Sequence, residues 1–182
     1  MLENLSIKNF VIVDHLELNF KSGYSALTGE TGAGKSILIG ALSLALGQRG
    51  ESGVVRHGTD KSDISATFNI QNNEYALEWL KQNELESEEG TLYLRRVIYQ
   101  DGKSKGYING IPATISQLKS IGEFLIDIYS QNSHHSLLKN STQREILDNF
   151  SGLNKEVREI KELYDNWRKL FLENENFKKN KE

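Results

Sequence analysis

Tyr24-Ser25-Ala26-Leu27-Thr28-Gly29-Glu30-Thr31-Gly32-Ala33-Gly34-Lys35-Ser36-Ile37-Leu38-Ile39-Gly40-Ala41-Leu42-Ser43-Leu44-Ala45-Leu46-Gly47 is the stretch on which the fold turns. Residues 24–28 have the composition of a short strand and run straight into a glycine-rich loop. Residues 37–46 are apolar almost all the way round, which predicts a buried helix, and Gly47 supplies a left-handed stop. Within this strand, loop and helix lies Gly29-x-x-x-x-Gly34-Lys35-Ser36, the full phosphate-loop pattern. Its glycines let the backbone of Gly29, Glu30, Thr31, Gly32, Ala33 and Gly34 curl so that successive N–H groups face inward on an anion, and the helix opening through Lys35, Ser36 and Ile37 adds its positive dipole end. Lys35 is placed for the β- and γ-phosphates and the Ser36 hydroxyl for Mg²⁺, so a bound phosphate group with Mg²⁺ is what this loop predicts. Four fixed positions match by chance in a chain of this length roughly once in a hundred.

Working outward, residues 2–8 and 16–20 alternate apolar and polar side chains, the pattern of half-buried strands, with a turn at Lys21-Ser22-Gly23. Downstream, residues 63–70 and 92–99 read as strands, 75–82 as a short helix, 84–90 as an acidic surface turn, and Asp101-Gly102 as a turn. Tyr107-Ile108-Asn109-Gly110-Ile111 predicts a tight hairpin, because Asn-Gly supplies the two positive-φ residues of a type I′ turn. Thr114 and Gln117 make a capping-box pair for a helix ending near Gly122. Residues 124–129 form one more apolar strand, followed by the polar loop Ser130-Gln131-Asn132-Ser133-His134-His135-Ser136.

The C-terminal part changes character. A second capping-box pair, Thr142 and Glu145, opens a helix in which Ile146, Phe150, Leu153, Val157, Ile160, Tyr164, Trp167 and Phe171 follow a 4-3-4-3 spacing. That is a coiled-coil seam, with mixed charges on its wet faces and Gly152 as a point of interruption or kinking. Such a seam needs a partner helix, and the pattern runs to Lys181-Glu182 without a cap, so the expectation is a chain cut within a coiled coil. The predicted organisation is a half-head over residues 1–140 and the root of a coiled coil over 141–182.

Composition narrows the class. The chain has 182 residues, 37% hydrophobic and 26% charged, with a net charge of −3, and a mean hydropathy of −0.51. These values fit a folded globular chain, and zero cysteines exclude disulfides, thiolate nucleophiles and thiolate metal sites. The N-terminus lacks the basic-then-apolar pattern of a signal peptide and no run approaches a membrane span, which predicts a cytoplasmic protein. The slight negative charge argues against a strongly basic nucleic-acid binder and leaves room for a local patch.

Phosphoryl transfer needs an acidic residue at the end of an apolar strand to hold the metal's water. Asp127, inside the 124–129 strand and without an acidic neighbour, reads as a solvated or structural aspartate, whereas Gln131 just beyond it is placed to reach Mg²⁺ if that strand lies beside the loop. His134-His135 reads as surface loop. Arg95, Arg96, Lys103 and Lys105 make a small basic region, read as solvated strand-edge charge, with contact to a DNA backbone as the alternative. Trp79 and Trp167 read as packing residues.

Leu5-Ser6-Ile7-Lys8-Asn9-Phe10, the 27–38 string around the phosphate loop, Val55-Arg56-His57-Gly58, Leu94-Arg95-Arg96-Val97-Ile98, Tyr107-Ile108-Asn109-Gly110 and Asp127-Ile128-Tyr129-Ser130-Gln131 together resemble the amino-terminal part of the RecN family. These are bacterial double-strand-break repair ATPases related to the structural maintenance of chromosomes (SMC) proteins, and the resemblance covers about residues 1–170. It implies an α/β, ABC-type half-head with a mixed sheet. A coiled coil follows it, and a C-terminal half carries the signature motif, the Walker-B acidic pair and the switch histidine. Carried over by position, Gln131 resembles the Q-loop glutamine that contacts Mg²⁺ and with Lys35 forms the catalytic pair. Arg56 resembles the arginine that approaches nucleotide or the opposing head, and Lys8, Asn9 and Phe10 resemble the edge flanking adenine. Ser130-Gln131-Asn132-Ser133-His134 departs from the Gly-Gln-His arrangement of the family.

The same resemblance implies a nucleoid-associated protein whose partners are DNA, the C-terminal half of the same head, and a second copy joined through ATP-sandwiched heads. Two other classes compete. A self-contained phosphate-loop kinase or GTPase requires a local Walker-B strand and, for a GTPase, an Asn-Lys-x-Asp motif, which is missing. A coiled-coil interaction module with a vestigial nucleotide site is opposed by intact Lys35 and Ser36.

Overall fold

The structure, a computed structural model, describes residues 1–28, 34–49, 53–86, 90–126, 128, 143–144, 147–148 and 150–179. The chain divides into two compact units, Met1–Ile128 and Tyr129–Glu182.

The first unit is built on six strands: β1 (Leu2–Phe10), β2 (Val13–Asn19), β3 (Lys61–Asn69), β4 (Thr91–Tyr99), β5 (Ser104–Ile108) and β6 (Ile111–Ala113). They lie in the order β2-β1-β3-β4-β5-β6. Every described pairing is antiparallel, so the mixed character expected of the sheet is not seen among the described residues. Strict alternation places Ile64, Phe68, Leu92, Leu94 and Ile108 on one face, where each is fully buried. That face is covered by α1 (Lys35–Ala45), which packs on β1, β3 and β4, and by α3 (Ile115–Gly122) on β5, with α2 (Glu74–Gln82) against α3. The opposite face carries the polar set, as an antiparallel sheet with one wet side allows.

Local signals account for most element boundaries. Asn109 and Gly110 turn β5 into β6 with φ of 50° and 80°, the conformation of the predicted type I′ hairpin. The Thr114–Gln117 capping box opens α3 with both of its hydrogen bonds present. Asn73 caps α2 by accepting from the Ala76 N–H, and its side-chain amide donates to the Phe124 carbonyl at 2.6 Å. Gly47, at φ 83°, ends α1 where an added Cβ would lie 2.8 Å from the Ile115 carbonyl oxygen, so α1 and α3 approach closely only because this residue is glycine.

Three expectations need correction. The 37–46 helix is buried over Ala41, Ser43, Leu44 and Ala45, but its first half is not, and Ile39 is 46% exposed. Residues 24–28 form no strand, with Tyr24 fully exposed and Leu27 half-exposed. Residues 124–126 are turn and coil in place of the start of the predicted 124–129 strand, whose Asp127 and Tyr129 lie outside the described residues. The two strand expectations fail for one physical reason: a strand needs a neighbour for its N–H and C=O groups. Both edges of β1 are taken, by β2 and β3, and no described strand offers a parallel partner to either segment.

In the second unit, α4 (Asn154–Lys179) is a 26-residue helix. Gly152, at φ 70°, separates it from the helical residues before it, so the suspected kink is a break. The seam residues Val157, Ile160, Tyr164, Trp167 and Phe171 are all exposed, and the Trp167 ring lies 5.7 Å from Tyr164 and 5.4 Å from Phe171 between centroids. The predicted Thr142–Glu145 cap and Ile146 lie outside the described residues.

Candidate nucleotide-binding site

The centre of the site is the N-terminus of α1. Gly34 stands at the cap position with φ 88°, a conformation that a residue with a Cβ adopts at a cost of about 1–2 kcal/mol. Space around it is open, so conformation and not crowding demands glycine here. The first intrahelical bond runs from the Leu38 N–H to the Gly34 carbonyl at 3.1 Å. The N–H groups of Ser36 and Ile37 lie ahead of it and point out of the helix end. No side chain caps this end and no acidic residue occupies the first turn. An open, positively polarised terminus with a lysine at its first position suits an anion, and a phosphate group fits the donors present. Gly29, Glu30, Thr31, Gly32 and Ala33 lie outside the described residues, as do Gln131 and His134-His135.

The other predicted contacts divide. Arg56 and the 8–10 edge are brought together: the Arg56 N–H donates to the Asn9 carbonyl at 3.0 Å, and the Val11 N–H to the Val54 carbonyl at 2.8 Å. Asn9 and Val11 both have positive φ, near 53° and 52°, which turns the end of β1 toward the 53–56 segment. The Arg56 guanidinium, partly exposed, is held at 2.8 Å by Asp14 of β2. Lys8 is exposed on the wet face of the sheet, whereas the Phe10 ring is buried in the core, so Phe10 offers a ligand its backbone only.

The far end of α1 holds a residue whose role the sequence reading missed. Arg96 is 4% exposed and donates from Nη1 to the carbonyls of Leu44 at 3.1 Å and Gln48 at 2.6 Å, and from Nη2 to the Ser104 hydroxyl at 3.3 Å. It thus places a cation on the carbonyl end of the helix whose other end is the open N-terminus at Gly34, and it ties that end to β5. Its Nε has no hydrogen-bond partner, and burial pushes the guanidinium below its ordinary pKa. The signal was present: Leu92, Leu94, Arg96 and Ile98 share one parity along β4.

An antiparallel sheet, a helix packed on one face of it and an open helix N-terminus preceded by a left-handed glycine make up the fold of an SMC-like phosphate-loop head. Solved SMC heads share the fold. One, from work on ATP-driven dimerization and DNA stimulated activation of SMC ATPases, superposes with a TM-score of 0.59 at 21% identity, covering 82% of this chain and 98% of that one. The Pyrococcus furiosus Smc head with an extended coiled coil gives 0.65 at 22% identity over 87% of this chain and 43% of its own. The chain belongs to the AAA domain family, whose sequence profile matches residues 4–182. Its sequence is similar to the DNA repair protein RecN of Vibrio cholerae, 46% identical over 168 residues, 92% of this chain and 30% of that protein. RecN of Bacillus subtilis is 37% identical over 172 residues, 93% of this chain and 30% of that protein. The chain therefore spans about 30% of the length of the curated relatives it matches.

Proposed function

We propose that the chain is the ATP-binding N-terminal part of a DNA double-strand-break repair ATPase, in which ATP-dependent pairing of two heads governs engagement with DNA. The observation that carries this is the open N-terminus of α1, where Gly34 in the left-handed conformation precedes Lys35 and Ser36. The backbone of residues 29–34 and the first turn through Ile37 would hold the phosphates, Lys35 would neutralise the β- and γ-oxygens, and Ser36 with Gln131 would hold Mg²⁺. Arg56 and the edge at Lys8, Asn9 and Phe10 would border the base or the opposing head. Bound Mg²⁺ supplies charge neutralisation at the transferring phosphoryl group. The Walker-B carboxylate and the signature motif belong to the C-terminal half of the head, which in the assembled protein completes each sandwiched nucleotide. The working protein is cytoplasmic and nucleoid-associated, and its partners are DNA, that C-terminal half and a second copy.

A titration with a fluorescent ATP analogue tests the reading. The 182-residue chain binds in the presence of Mg²⁺, Lys35→Ala weakens binding by about tenfold or more, and turnover is negligible. Substantial hydrolysis abolished by Lys35→Ala would place the catalytic carboxylate within this chain and overturn the division of labour.

A further inference from the structure

Arg95 and Arg96 carry the same fork of donors, Nε and Nη2, along one edge of the guanidinium. In Arg95 that fork closes on the two carboxylate oxygens of Asp63, with the Nε bond at 2.9 Å. In Arg96 it closes on no carboxylate: Nη2 donates to the Ser104 hydroxyl at 3.3 Å, Nε has no hydrogen-bond partner, and no ion pair reaches the side chain among the described residues. The side chain is buried, and the carbonyl end of α1 offsets only about half a unit of its charge. A desolvated cation without a counter-ion is among the most unfavourable arrangements in a folded chain.

Arg96 and Ser104 line a cleft of about 880 Å³ walled by the β4–β5 turn and the 53–55 segment, a volume within the range of small-molecule sites. Arg49, exposed and without an ion pair among the described residues, adds a second cation to the wall. The carboxylate in the lining belongs to Asp101, which Lys103 holds at 2.9 Å. Val11, Val54, Val55 and Ile98 supply an apolar side.

We propose that this cleft binds a small organic phosphate, with the Ser104 hydroxyl and Arg49 on the phosphate group, Arg96 as the buried charge behind them, and the valines against the organic part. The site is separate from the phosphate loop, because it lies at the other end of α1, whose 11 residues span about 16 Å. Charge selects the ligand. Two arginines less the half-charge of the helix end leave about one and a half positive charges, and a phosphate monoester carries about −1.5 to −2 at neutral pH. Ser104 accepts from Arg96 and keeps its own O–H to donate to a phosphate oxygen. The Arg96 Nε is shut off from solvent, so the phosphate offsets that charge through space and not by contact with Nε.

The test uses the 182-residue chain carrying Lys35→Ala, labelled with isotopic arginine and read by NMR at the Arg96 Nε–H resonance, which Arg96→Lys identifies by its loss. Phenyl phosphate and inorganic phosphate are titrated at constant ionic strength. Phenyl phosphate shifts the resonance saturably, and inorganic phosphate does so with lower affinity. Arg49→Ala, on an exposed side chain whose loss leaves folding intact, weakens binding by about tenfold, and Ser104→Ala weakens it as well. Absence of a saturable shift, equal affinity for the two probes, or parental affinity in Arg49→Ala would each overturn the proposal. A shift seen in the parental chain and missing with Lys35→Ala would place the anion at the phosphate loop and overturn it too. Because the loop lysine is removed throughout, failure here leaves the nucleotide reading untouched, and the titration with an ATP analogue reports on that reading separately.

Discussion

Arg95 and Arg96 are neighbours in the chain, yet one lies across the open face of the sheet with Asp63 and Tyr107 while the other is buried beneath it on carbonyls at and just past the end of α1. The pleat separates them: adjacent strand residues point to opposite faces. Replacing Arg96 leaves the Gln48 carbonyl without its donor, the Leu44 carbonyl with the Gly47 N–H alone, and a cavity beside them, so Arg96→Met is expected to destabilise the first unit by about 2–4 kcal/mol in urea unfolding. Arg96→Lys recovers only part of this, because an ammonium cannot reproduce the planar fork. Gly47→Ala combines a left-handed backbone with a clash against the Ile115 carbonyl and is expected to lower stability by at least about 2 kcal/mol. Both residues could be suspected from the chain alone, Arg96 by its parity with Leu92 and Leu94 and Gly47 by its place after an apolar run. What they touch could not, since Leu44 and Ile115 are distant in sequence from the residues they meet.

Elements whose determinants are local form where the sequence places them. The Asn109-Gly110 turn, the Thr114–Gln117 box and the period-two strands β3 and β4 each rest on residues a few positions apart. Gly110→Ala forces a Cβ into φ 80° and is expected to cost about 1–2 kcal/mol, read as a lower urea midpoint with an unchanged slope. Thr114→Ala removes the cap of α3 and is expected to cost about 1 kcal/mol by the same measurement. Residues 24–28 and 124–126 fail for the opposite reason. Their composition favours strand, but strand is a relation between two chains of hydrogen-bonding groups, and nothing in a short apolar run says whether a neighbour exists.

Across the molecule, the apolar residues of the first unit meet over one face of the sheet, whereas those of α4 remain on its surface. Its seam carries Val157, Ile160, Tyr164, Trp167 and Phe171 exposed, with Leu163 and Leu170 widening it on one flank. A stripe of this size favours association, so sedimentation should show self-association rising with concentration, and Trp167→Glu with Phe171→Glu should suppress it while leaving the first unit's urea transition in place. The glycine ahead of α1, the hairpin, the Thr114–Gln117 cap and the heptad spacing were legible in the order of residues, because each depends on backbone conformation or periodicity within a few turns of chain. Tertiary structure alone decided that Phe10 is core and Lys8 surface, that Arg56 joins the end of β1 through Asn9 and Asp14, and that tyrosines and cations from β4 and β5 share one open face. Burial, pairing and the gathering of side chains onto a surface are properties of segments that meet in space, and those meetings join residues far apart in sequence.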